Sequence, residues 1–272
     1  MSSNGKIFLS VLTVSYNEAK SIRKTIESVL NQSEKCFEYV VKDGGSKDNT
    51  NKIVESYRTQ FKNKGIQFIH IIENDNGIYD AMNKGVEKCE GKYILFLNAG
   101  DAFNNGEVVA ELKRNNCNAD VCYGDALMCD NGSFLLFRAD MGLIKKRMPF
   151  SHQSCFLKRE ILLEEKFDLH YKICGDYDLI LRLYEKGCTF KDIDTIICDY
   201  YLNGVSSTQF VEKRKEHEKI LFSHGLNTKK SCFAHMVEAY VKQIAIKLVP
   251  LYCLNKLKDW YKLKIKHYES IL

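Results

Sequence analysis

The sequence is poor in the residues and motifs that mark several common protein classes. Its 272 residues include only two prolines and one tryptophan, and its eleven cysteines form no Cys-x-x-Cys pair. An odd cysteine count without such pairs fits neither a disulfide framework nor a zinc ribbon. No stretch approaches the roughly 18 uncharged apolar residues of a membrane-spanning helix, and the N-terminus lacks a secretory-signal pattern. We therefore expect a cytoplasmic protein whose cysteines act as small apolar residues.

The charge distribution argues against a nucleic-acid-binding domain. Residues 211–272 hold 13 of the 40 Lys and Arg but only 6 of the 35 Asp and Glu, so this tail carries +7 and the remainder −2. A nucleic-acid-binding domain would need basic residues across its reading face.

The basic tail combines an apolar stripe at helical spacing, from Phe233 to Leu248, with the lysine-rich segment "LNKLKDWYKLKIKHY". Two interpretations stay open. Such a helix can lie on an anionic membrane surface from the cytoplasmic side, as a peripheral protein does. Alternatively, the apolar stripe packs on this protein's own sheet or on a second copy, and the lysines face solvent.

Strand-like and helix-like segments alternate over the first 125 residues. Helical spacing of apolar residues follows the first strand, and further helices are predicted near 49–62 and 79–89. This alternation predicts a Rossmann-like α/β fold with a mostly parallel sheet flanked by helices. The predicted strands are "IFLSVLTV" (7–14), "YVV" (39–41), "FIHII" (68–72), "YILFL" (93–97) and "DVCYG" (120–124).

The pattern changes after residue 125. Residues 125–138 are typical of a hairpin that turns at Asp130-Asn131-Gly132, and a helix near 176–187 precedes a strand within 188–202. We predict one domain over 1–208, made of two halves that meet near residue 125. Residues 209–272 form a helical basic extension in this prediction.

Acidic and small polar residues follow each predicted strand, at the edge where ligands bind in open α/β sheets. Each alone is an ordinary turn or cap residue. The motifs Gly-x-Gly-x-x-Gly and Gly-x-x-x-x-Gly-Lys-[Ser/Thr] are absent, so a phosphate here needs a divalent cation for charge. These segments are Ser15–Glu18, Asp43–Ser46, Glu73–Gly77 with Asp80, Asn98–Asp101 and Gly124–Asp125.

Six segments together resemble the family 2 glycosyltransferases of the GT-A fold, and most closely the bacterial members that build surface polysaccharides. The resemblance covers about residues 6–208 in order and spacing. The segments are "LSVLTVSYNEAKSIRKTIESVLNQ", "YVVKDGGSKDNT", "DNGIYDAMNKG", "GKYILFLNAGD", "PFSHQSCFLKREIL" and "CGDYDLILRLYEKG".

The resemblance implies a nucleotide-sugar half at about 1–125, which holds the donor pocket, and an acceptor half at about 126–208. Asp43 would accept from uracil or another base, and Gly44 and Gly45 would let the nucleotide lie against the backbone. The remaining residues would line the base pocket (Thr13, Ser15 and Glu18), contact the ribose or base (Asp80), and lie beside the nucleotide or sugar (Asn83 and Lys84). A solvated turn acid at Asp43 and a helix-dipole acid at Asp80 are the structural alternatives.

The family's metal motif, Asp-x-Asp, is altered here to Asn98-Ala99-Gly100-Asp101. The resemblance leaves Asp101 as the carboxylate that would hold Mn²⁺ or Mg²⁺ against the diphosphate, with Asn98 helping through its amide oxygen or a water. The alternative is that Asp101 only caps a following turn.

The family's catalytic dipeptide, Glu-Asp, appears here as Gly175-Asp176. Asp176 is the predicted base, which would take the proton from an acceptor hydroxyl. Asp178 is the second candidate, and an N-cap role for Asp176 is the structural alternative. His152 would touch the diphosphate, the metal or the acceptor, unless it is a structural histidine.

The function that these residues imply is inverting, metal-dependent transfer of a sugar from a nucleotide-diphosphate donor, with UDP-sugars favoured. The acceptor would be a glycan or a lipid-linked glycan in cell-surface polysaccharide synthesis. Two alternatives remain: a sugar-nucleotide pyrophosphorylase, which usually has a Gly-rich basic loop after the first strand, and a non-catalytic nucleotide-binding or scaffolding subunit.

Overall fold

The computed structural model describes residues 7–115, 117–130, 133–201, 209–226 and 268–270. Within these residues ten strands form one sheet. The strands are β1 (Leu9–Ser15), β2 (Phe37–Asp43), β3 (Gln67–Ile72), β4 (Tyr93–Phe96), β5 (Ala102–Phe103), β6 (Val121–Asp130), β7 (Ser133–Phe137), β8 (Cys155–Lys158), β9 (Phe190–Tyr201) and β10 (Tyr268–Ser270). The helices are α1 (Ile22–Leu30), α2 (Thr50–Ser56), α3 (Arg58–Asn63), α4 (Ile78–Lys88), α5 (Val108–Arg114), α6 (Arg159–Glu165), α7 (Gly175–Glu185) and α8 (Phe210–Ser223), with short 3-10 turns at Met141–Leu143 and His152–Ser154.

The first four strands form the predicted parallel sheet, in the spatial order β3-β2-β1-β4. All seven residues of β1 are buried, which explains its unbroken run of apolar and small residues. The chain moves outward from β1 to β3 and then returns to β4 on the other side. The strand order therefore reverses between β1 and β4, and the carboxyl ends of these strands border a crevice of the kind that binds ligands.

The second half of the sheet is mixed. β8 lies between β4 and β6 and is antiparallel to both, so β6 keeps the direction of β4 without pairing with it. The prediction that the fifth strand ends at Asp125 is wrong, because β6 continues to Asp130. The predicted hairpin is confirmed by the antiparallel pairing of β6 with β7.

Two apolar clusters cover the two faces of the sheet. Helices α1, α2, α3 and α5 pack on one face, through residues such as Ile26, Val54 and Phe61. Helices α4, α6 and α7 pack on the other, through residues such as Met82 and Leu181. The predicted layered α/β architecture is confirmed in this part of the chain.

The basic extension begins as a helix. α8 buries Ile220 and Leu221 in the second apolar cluster, so this part packs on the domain. Residues 268–270 form a strand antiparallel to β7, which corrects the prediction of a wholly helical extension. The predicted boundary at 208, the apolar stripe at 233–248 and residues 254–267 of the lysine-rich segment lie outside the described residues.

Two further expectations can be compared with the described residues. Among them, no helix combines the length and apolar character needed to cross a membrane. Cys117 and Cys122 lie side by side, buried among the apolar side chains of the first cluster.

Candidate active site

The turn after β4 carries the two predicted metal ligands, Asn98 and Asp101. Thr25 of α1 holds this turn: its hydroxyl donates to the carbonyl of Asp101 at 2.6 Å and accepts from the amide of Gly100 at 2.9 Å. Gly100 has a φ of +102°, a conformation that favours glycine. The side-chain oxygen of Asn98 is buried and has no hydrogen-bond partner among the described residues.

Asp101 is 7% exposed, and both carboxylate oxygens accept hydrogen bonds. Oδ1 accepts from the amide of Tyr201 at 3.1 Å, and Oδ2 accepts from Nε2 of Gln153 at 2.9 Å. Burial raises the pKa of Asp101 to about 6, although these two hydrogen bonds and the charge of Lys24 oppose the rise. The Asp101 carboxylate therefore takes up a proton more readily than an ordinary aspartate, because burial disfavours its charged form.

The donors at this turn fit a hard divalent cation. A carboxylate and an amide oxygen without a partner are ligands that Mg²⁺ and Mn²⁺ accept. Across the described ranges, no group of three or more His, Cys, Asp or Glu side chains could hold a metal. The turn therefore suits a cation held by few protein oxygens together with ligand phosphates, and a closed protein cage does not suit it.

Asp43, at the end of β2, is fully buried and accepts five hydrogen bonds. Oδ1 accepts from the amides of Gly45 and Ser46 and from Asn51, and Oδ2 accepts from the hydroxyls of Ser15 and Ser46. Burial opposes ionisation, but the bonds from Ser46, Asn51 and Ser15 outweigh it, and the pKa of Asp43 is lowered. Asp43 thus holds the loop after β2, and direct acceptance from a base stays a prediction.

The two glycines after Asp43 make room for protein side chains. A Cβ on Gly44 would lie 2.7 Å from Oδ2 of Asp75, and one on Gly45, which has φ +87°, would lie 2.2 Å from Oδ1 of Asn74. Asp75 pairs with the fully buried Lys42 at 2.7 Å. The side chains of Asp75 and Asn74, from the loop after β3, therefore approach these two glycines closely, and the approach of a nucleotide to the same backbone stays a prediction.

Thr13 lies within β1, whereas Glu18 follows the end of that strand. Thr13 is fully buried, donates to the carbonyl of Leu97 at 2.7 Å and accepts from Tyr39 at 3.0 Å, so its hydroxyl is used inside the sheet. Glu18 accepts from the Ser21 hydroxyl, and its charge contributes to the raised pKa of Asp101. The structure therefore brings Glu18 close to the predicted metal turn.

The predicted residues of α4 divide into two groups. Asp80 accepts from the amide of Asn76 at 2.8 Å and lies 3.5 Å from Nζ of Lys84. Burial acts to raise the pKa of Asp80, but Asn76 and Lys84 lower it by more, so the net shift is downward. Asn83 instead clamps the backbone of Phe167, with bonds of 2.9 and 3.0 Å, which leaves its amide committed to the fold.

Asp176 lies in the first turn of α7 and is half-buried. Its Oδ1 accepts from the amide of Tyr177 at 2.9 Å and from the hydroxyl of Tyr79 at 3.2 Å. Asp178, the second candidate base, is buried and pairs with Arg182 at 2.8 Å. The accessible carboxylate of the two is Asp176.

His152 and Gln153 connect the two predicted chemical centres. Gln153 donates to Asp101, while the neighbouring His152 feels the charge of Asp176. Burial lowers the pKa of His152, although Asp176 opposes this. The ring stacks on Phe96 at 5.1 Å, and its Nε2 is buried without a partner among the described residues. The turn thus contacts Asp101 through Gln153, and it is linked to Asp176 through Phe167, which packs on His152, and Tyr79, which stacks on Phe167 and donates to Asp176.

Comparison with known proteins decides the family. Residues 10–167 match the family described as glycosyl transferase family 2. The chain belongs to this family. It is therefore a glycosyltransferase, and the pyrophosphorylase alternative is set aside.

Two relatives of this glycosyltransferase are named as biosynthetic glycosyltransferases. It is 26% identical over 209 residues to a PGL/p-HBAD biosynthesis glycosyltransferase of Mycobacterium tuberculosis, covering 75% of this chain and 80% of the relative. It is 33% identical over 112 residues to the putative teichuronic acid biosynthesis glycosyltransferase TuaG of Bacillus subtilis, covering 40% and 42%.

Solved structures show the same fold. S. aureus TarS 1-349 in complex with UDP-GlcNAc matches with a TM-score of 0.65 at 18% identity, covering 96% of this chain and 76% of that one. Mannosyltransferase PcManGT from Pyrobaculum calidifontis, in complex with GDP-Man and Mn²⁺, matches with a TM-score of 0.61 at 14% identity, covering 97% and 82%. The predicted GT-A fold is confirmed.

Sequence reasoning on this glycosyltransferase missed Gln153, Tyr79 and Glu216. Each contacts the site across a large sequence separation, so no local spacing points to it. Glu216 of α8 accepts from the amides of residues 172, 173 and 174, at 2.7 to 2.9 Å, immediately before α7. The one available signal was Gly175, where a glycine stands in place of the family's acid.

A cavity of about 830 Å³ lies elsewhere in this glycosyltransferase, between the end of α7 and the end of α8. Its walls include Tyr184, Phe190 and His224. None of the predicted site residues lines it. The predicted acidic side chains lie at the strand ends, so the candidate site is the crevice there and not this cavity.

Proposed function

We propose that this glycosyltransferase moves a sugar, with inversion, from a nucleotide-diphosphate donor to a glycan or lipid-linked glycan in surface polysaccharide synthesis. A UDP-sugar is the favoured donor, because the related fold of TarS binds UDP-GlcNAc. The observation that carries the proposal is the His152–Gln153 turn, in which Gln153 donates to Asp101 and His152 packs on Phe167, the ring that stacks on the Asp176 partner Tyr79.

Asp176 is the proposed base. Oδ1 is held by two protein donors, so Oδ2 would take the proton from the acceptor hydroxyl as that oxygen attacks the anomeric carbon. Attack from the side opposite the leaving diphosphate inverts the configuration at that carbon. His152, whose pKa is lowered by burial, would offer its unpartnered Nε2 to a phosphate or to the acceptor.

Asp101 and Asn98 are the residues that would hold Mn²⁺ or Mg²⁺. When bound, the cation would supply positive charge that stabilises the nucleoside diphosphate leaving group. PcManGT, which shares the fold, is described in complex with GDP-Man and Mn²⁺. Ser15, Glu18, Asp80 and Lys84 border the same crevice, and they are the proposed contacts for the base, ribose or sugar.

The first experiment identifies the donor. Thermal unfolding is measured with UDP-, GDP- and dTDP-sugars, each with and without Mn²⁺, because a ligand that binds the folded state raises its apparent stability. We expect the largest rise with a UDP-sugar and Mn²⁺ together. A non-catalytic nucleotide-binding subunit would show the same rise without any turnover of the donor on any acceptor tested.

The second experiment tests the base. We expect Asp176→Asn to abolish turnover while the stabilisation by donor and Mn²⁺ is retained, since the substitution removes only the proton acceptor. Asp168→Asn, in the loop before α7, is the matched control, because its exposed carboxylate contacts His170, two residues further along the same loop. Full turnover by Asp176→Asn would show that Asp176 is not the base.

We also propose that the basic tail brings the enzyme to a lipid-linked acceptor at the cytoplasmic face of a membrane, with self-association as the competing role. Flotation with anionic vesicles tests this on the full chain and on a variant in which Lys256, Lys258, Lys262, Lys264 and Lys266 are changed to glutamine. The proposal predicts that only the unchanged chain floats. Equal flotation of both chains would remove the membrane role.

A further inference from the structure

Tyr79 of α4 contacts both residues of the Gly175-Asp176 pair. Its hydroxyl donates to Oδ1 of Asp176 at 3.2 Å. Its ring lies so close to Gly175 that a Cβ at that position would be 2.8 Å from ring atom Cε2. Real Cβ atoms do not come this close to a ring, so the tyrosine and any larger residue at 175 compete for the same space.

The two oxygens of Asp176 differ in their partners. Oδ1 accepts from the hydroxyl of Tyr79 and from the amide of Tyr177. Oδ2 accepts no hydrogen bond from the described residues. The donors on Oδ1 thus fix the rotation of the carboxylate and leave Oδ2 as the oxygen available to an acceptor hydroxyl.

The position of Tyr79 is itself fixed by packing. The ring is buried and stacks on Phe167, with centroids 5.2 Å apart and an angle of 22°. Asn83 holds Phe167 through bonds to both its amide and its carbonyl. A tyrosine held in this way presents its hydroxyl at one place, which a mobile surface side chain cannot do.

The protonation state of Tyr79 suits a donor. Burial, together with the nearby charge of Asp176, raises the pKa of Tyr79 well above its ordinary value. The hydroxyl therefore keeps its proton at any working pH and can only donate to the carboxylate.

We infer that Tyr79 is a positioning residue for the proposed base, whose hydroxyl holds Oδ1 of Asp176 so that Oδ2 faces the acceptor, and that Gly175 is needed to admit its ring. This inference rests on the proposed role of Asp176 and deepens it. It also gives a physical reason for a glycine at 175, where a side chain would displace the tyrosine.

The contact is tested first by stability, without any substrate. Denaturant midpoints are compared for the unchanged chain, Tyr79→Phe, Asp176→Ala and the double variant. Because the two groups bond to each other, the double variant is expected to differ from the sum of the single changes. Additive midpoints would overturn the contact.

The positioning role is tested by kinetics with UDP-GlcNAc, UDP-glucose and GDP-mannose as donors. Tyr79→Phe is expected to lower kcat by about 10- to 100-fold, with KM for the donor changed less than about 2-fold, because a hydrogen bond to a charged group is lost and the base is misoriented. The lost donor also makes the carboxylate more basic, which offsets only a small part of this fall.

Tyr57→Phe is the matched control, because the Tyr57 hydroxyl also donates to a carboxylate, that of Glu27, at 2.6 Å. Tyr57 directly follows α2, and its hydroxyl bonds to α1, outside the crevice. Its kcat is expected to stay within about 2-fold of the unchanged enzyme. An equal fall of kcat in Tyr57→Phe and Tyr79→Phe would show that Tyr79→Phe acts through general destabilisation.

Gly175→Ala tests the space requirement in a double-mutant cycle with Tyr79→Phe. If the added methyl group acts by moving the hydroxyl, it should lower kcat strongly in the unchanged enzyme and much less once the hydroxyl is absent. If the fall of kcat in the double variant equals the product of the falls in the two single variants, the inference is contradicted.

The outcomes separate this inference from the proposed function. Full turnover by Asp176→Asn means that the base is wrong, and the positioning role fails with it. Loss of turnover in Asp176→Asn together with unchanged kcat in Tyr79→Phe removes only the role of Tyr79. If none of the three donors turns over, the stability cycle still decides whether the contact exists.

Discussion

At the scale of single residues, the site is built from charges that are buried before any ligand arrives. Asp101 is almost fully buried with a pKa raised to about 6, and Asn98 has a buried oxygen without a partner in the described part of the chain. Both features cost stability in the ligand-free protein. Enzymes commonly lose some stability at the groups that bind their ligands.

This cost gives a pH-dependent prediction for Asp101→Asn in the absence of metal. The folded carboxyl has a pKa of about 6, against an ordinary 3.8, so the folded state holds a proton that the unfolded state releases between these values. Stability therefore falls as pH rises from about 4 to 6 and stays lower above that range. The substitution should raise stability at pH 8 by up to about 3 kcal/mol and have little effect at pH 4.

Thermal unfolding with EDTA at both pH values measures this difference. The asparagine can keep the bond from the Tyr201 amide, and Gln153 can turn its amide to match. Asp192→Asn is the control, because that side chain is exposed. Equal effects of Asp101→Asn at both pH values would argue against a raised pKa.

A second residue-scale prediction concerns Lys42, which is fully buried and pairs with Asp75 beneath the loops after β2 and β3. Its Nζ also donates to the carbonyls of Glu73 and Asp43. Lys42→Met should lower the free energy of unfolding by about 3 kcal/mol, because it leaves an uncompensated carboxylate. Chemical denaturation measures the change, and Lys47→Met, at an exposed position of the same loop, should be nearly neutral.

At the scale of elements, α8 supports the active-site end of α7. Glu216 accepts from three successive amides immediately before α7, so its carboxylate anchors the segment that leads into the helix and into Asp176. Glu216→Ala should cost about 2 kcal/mol, which corresponds to a fall in Tm of about 4–8 °C.

Calorimetry of two variants in the same helix tests this support. Glu212→Ala is the matched control, since Glu212 is exposed and, within the described part of the chain, pairs with Lys215 one turn away. It should change Tm by less than about 2 °C. If both variants lose the same stability, α8 does not hold α7 through Glu216.

The elements also show how far the sequence could predict the fold. β1 to β4 and α4 were predictable because strands buried on both faces are uninterrupted apolar runs, and α4 has clear helical spacing. β5 has two residues and β8 has four, too short to show a period. Asp125 was misplaced because β6 continues through an irregular pairing with β9, which the sequence does not mark.

The site was predictable in part for the same reason. Asp43 and Asp101 stand at recognisable strand ends, and the resemblance pointed to Asp176 at a helix start, so the sequence could propose all three, and their roles stay predictions. The bonds from Gln153, Tyr79 and Glu216 depend on how distant segments pack. The glycines at 44 and 45 indicate a close approach in the sequence, but the side chains that meet them, Asp75 and Asn74, come from a distant loop that the sequence does not place.

At the scale of the whole molecule, the reversal of strand order between β1 and β4 creates the crevice that unites the site. One side carries the turn 98–101 and Glu18, and the α7 side carries Asp176, with His152 and Gln153 between them. If this crevice binds donor through a cation, EDTA should abolish both turnover and the stabilisation by a UDP-sugar. Added Mn²⁺ should restore both, whereas stabilisation that persists in EDTA would exclude a cation-dependent donor site.

The most direct test of the account is anomalous X-ray diffraction from crystals grown with Mn²⁺ and UDP. The account predicts a manganese peak in the coordination shell of the Asp101 carboxylate, bridged to the diphosphate, on the side of the crevice that Asp176 faces. A manganese peak elsewhere, or UDP bound with its diphosphate away from Asp101, would contradict it.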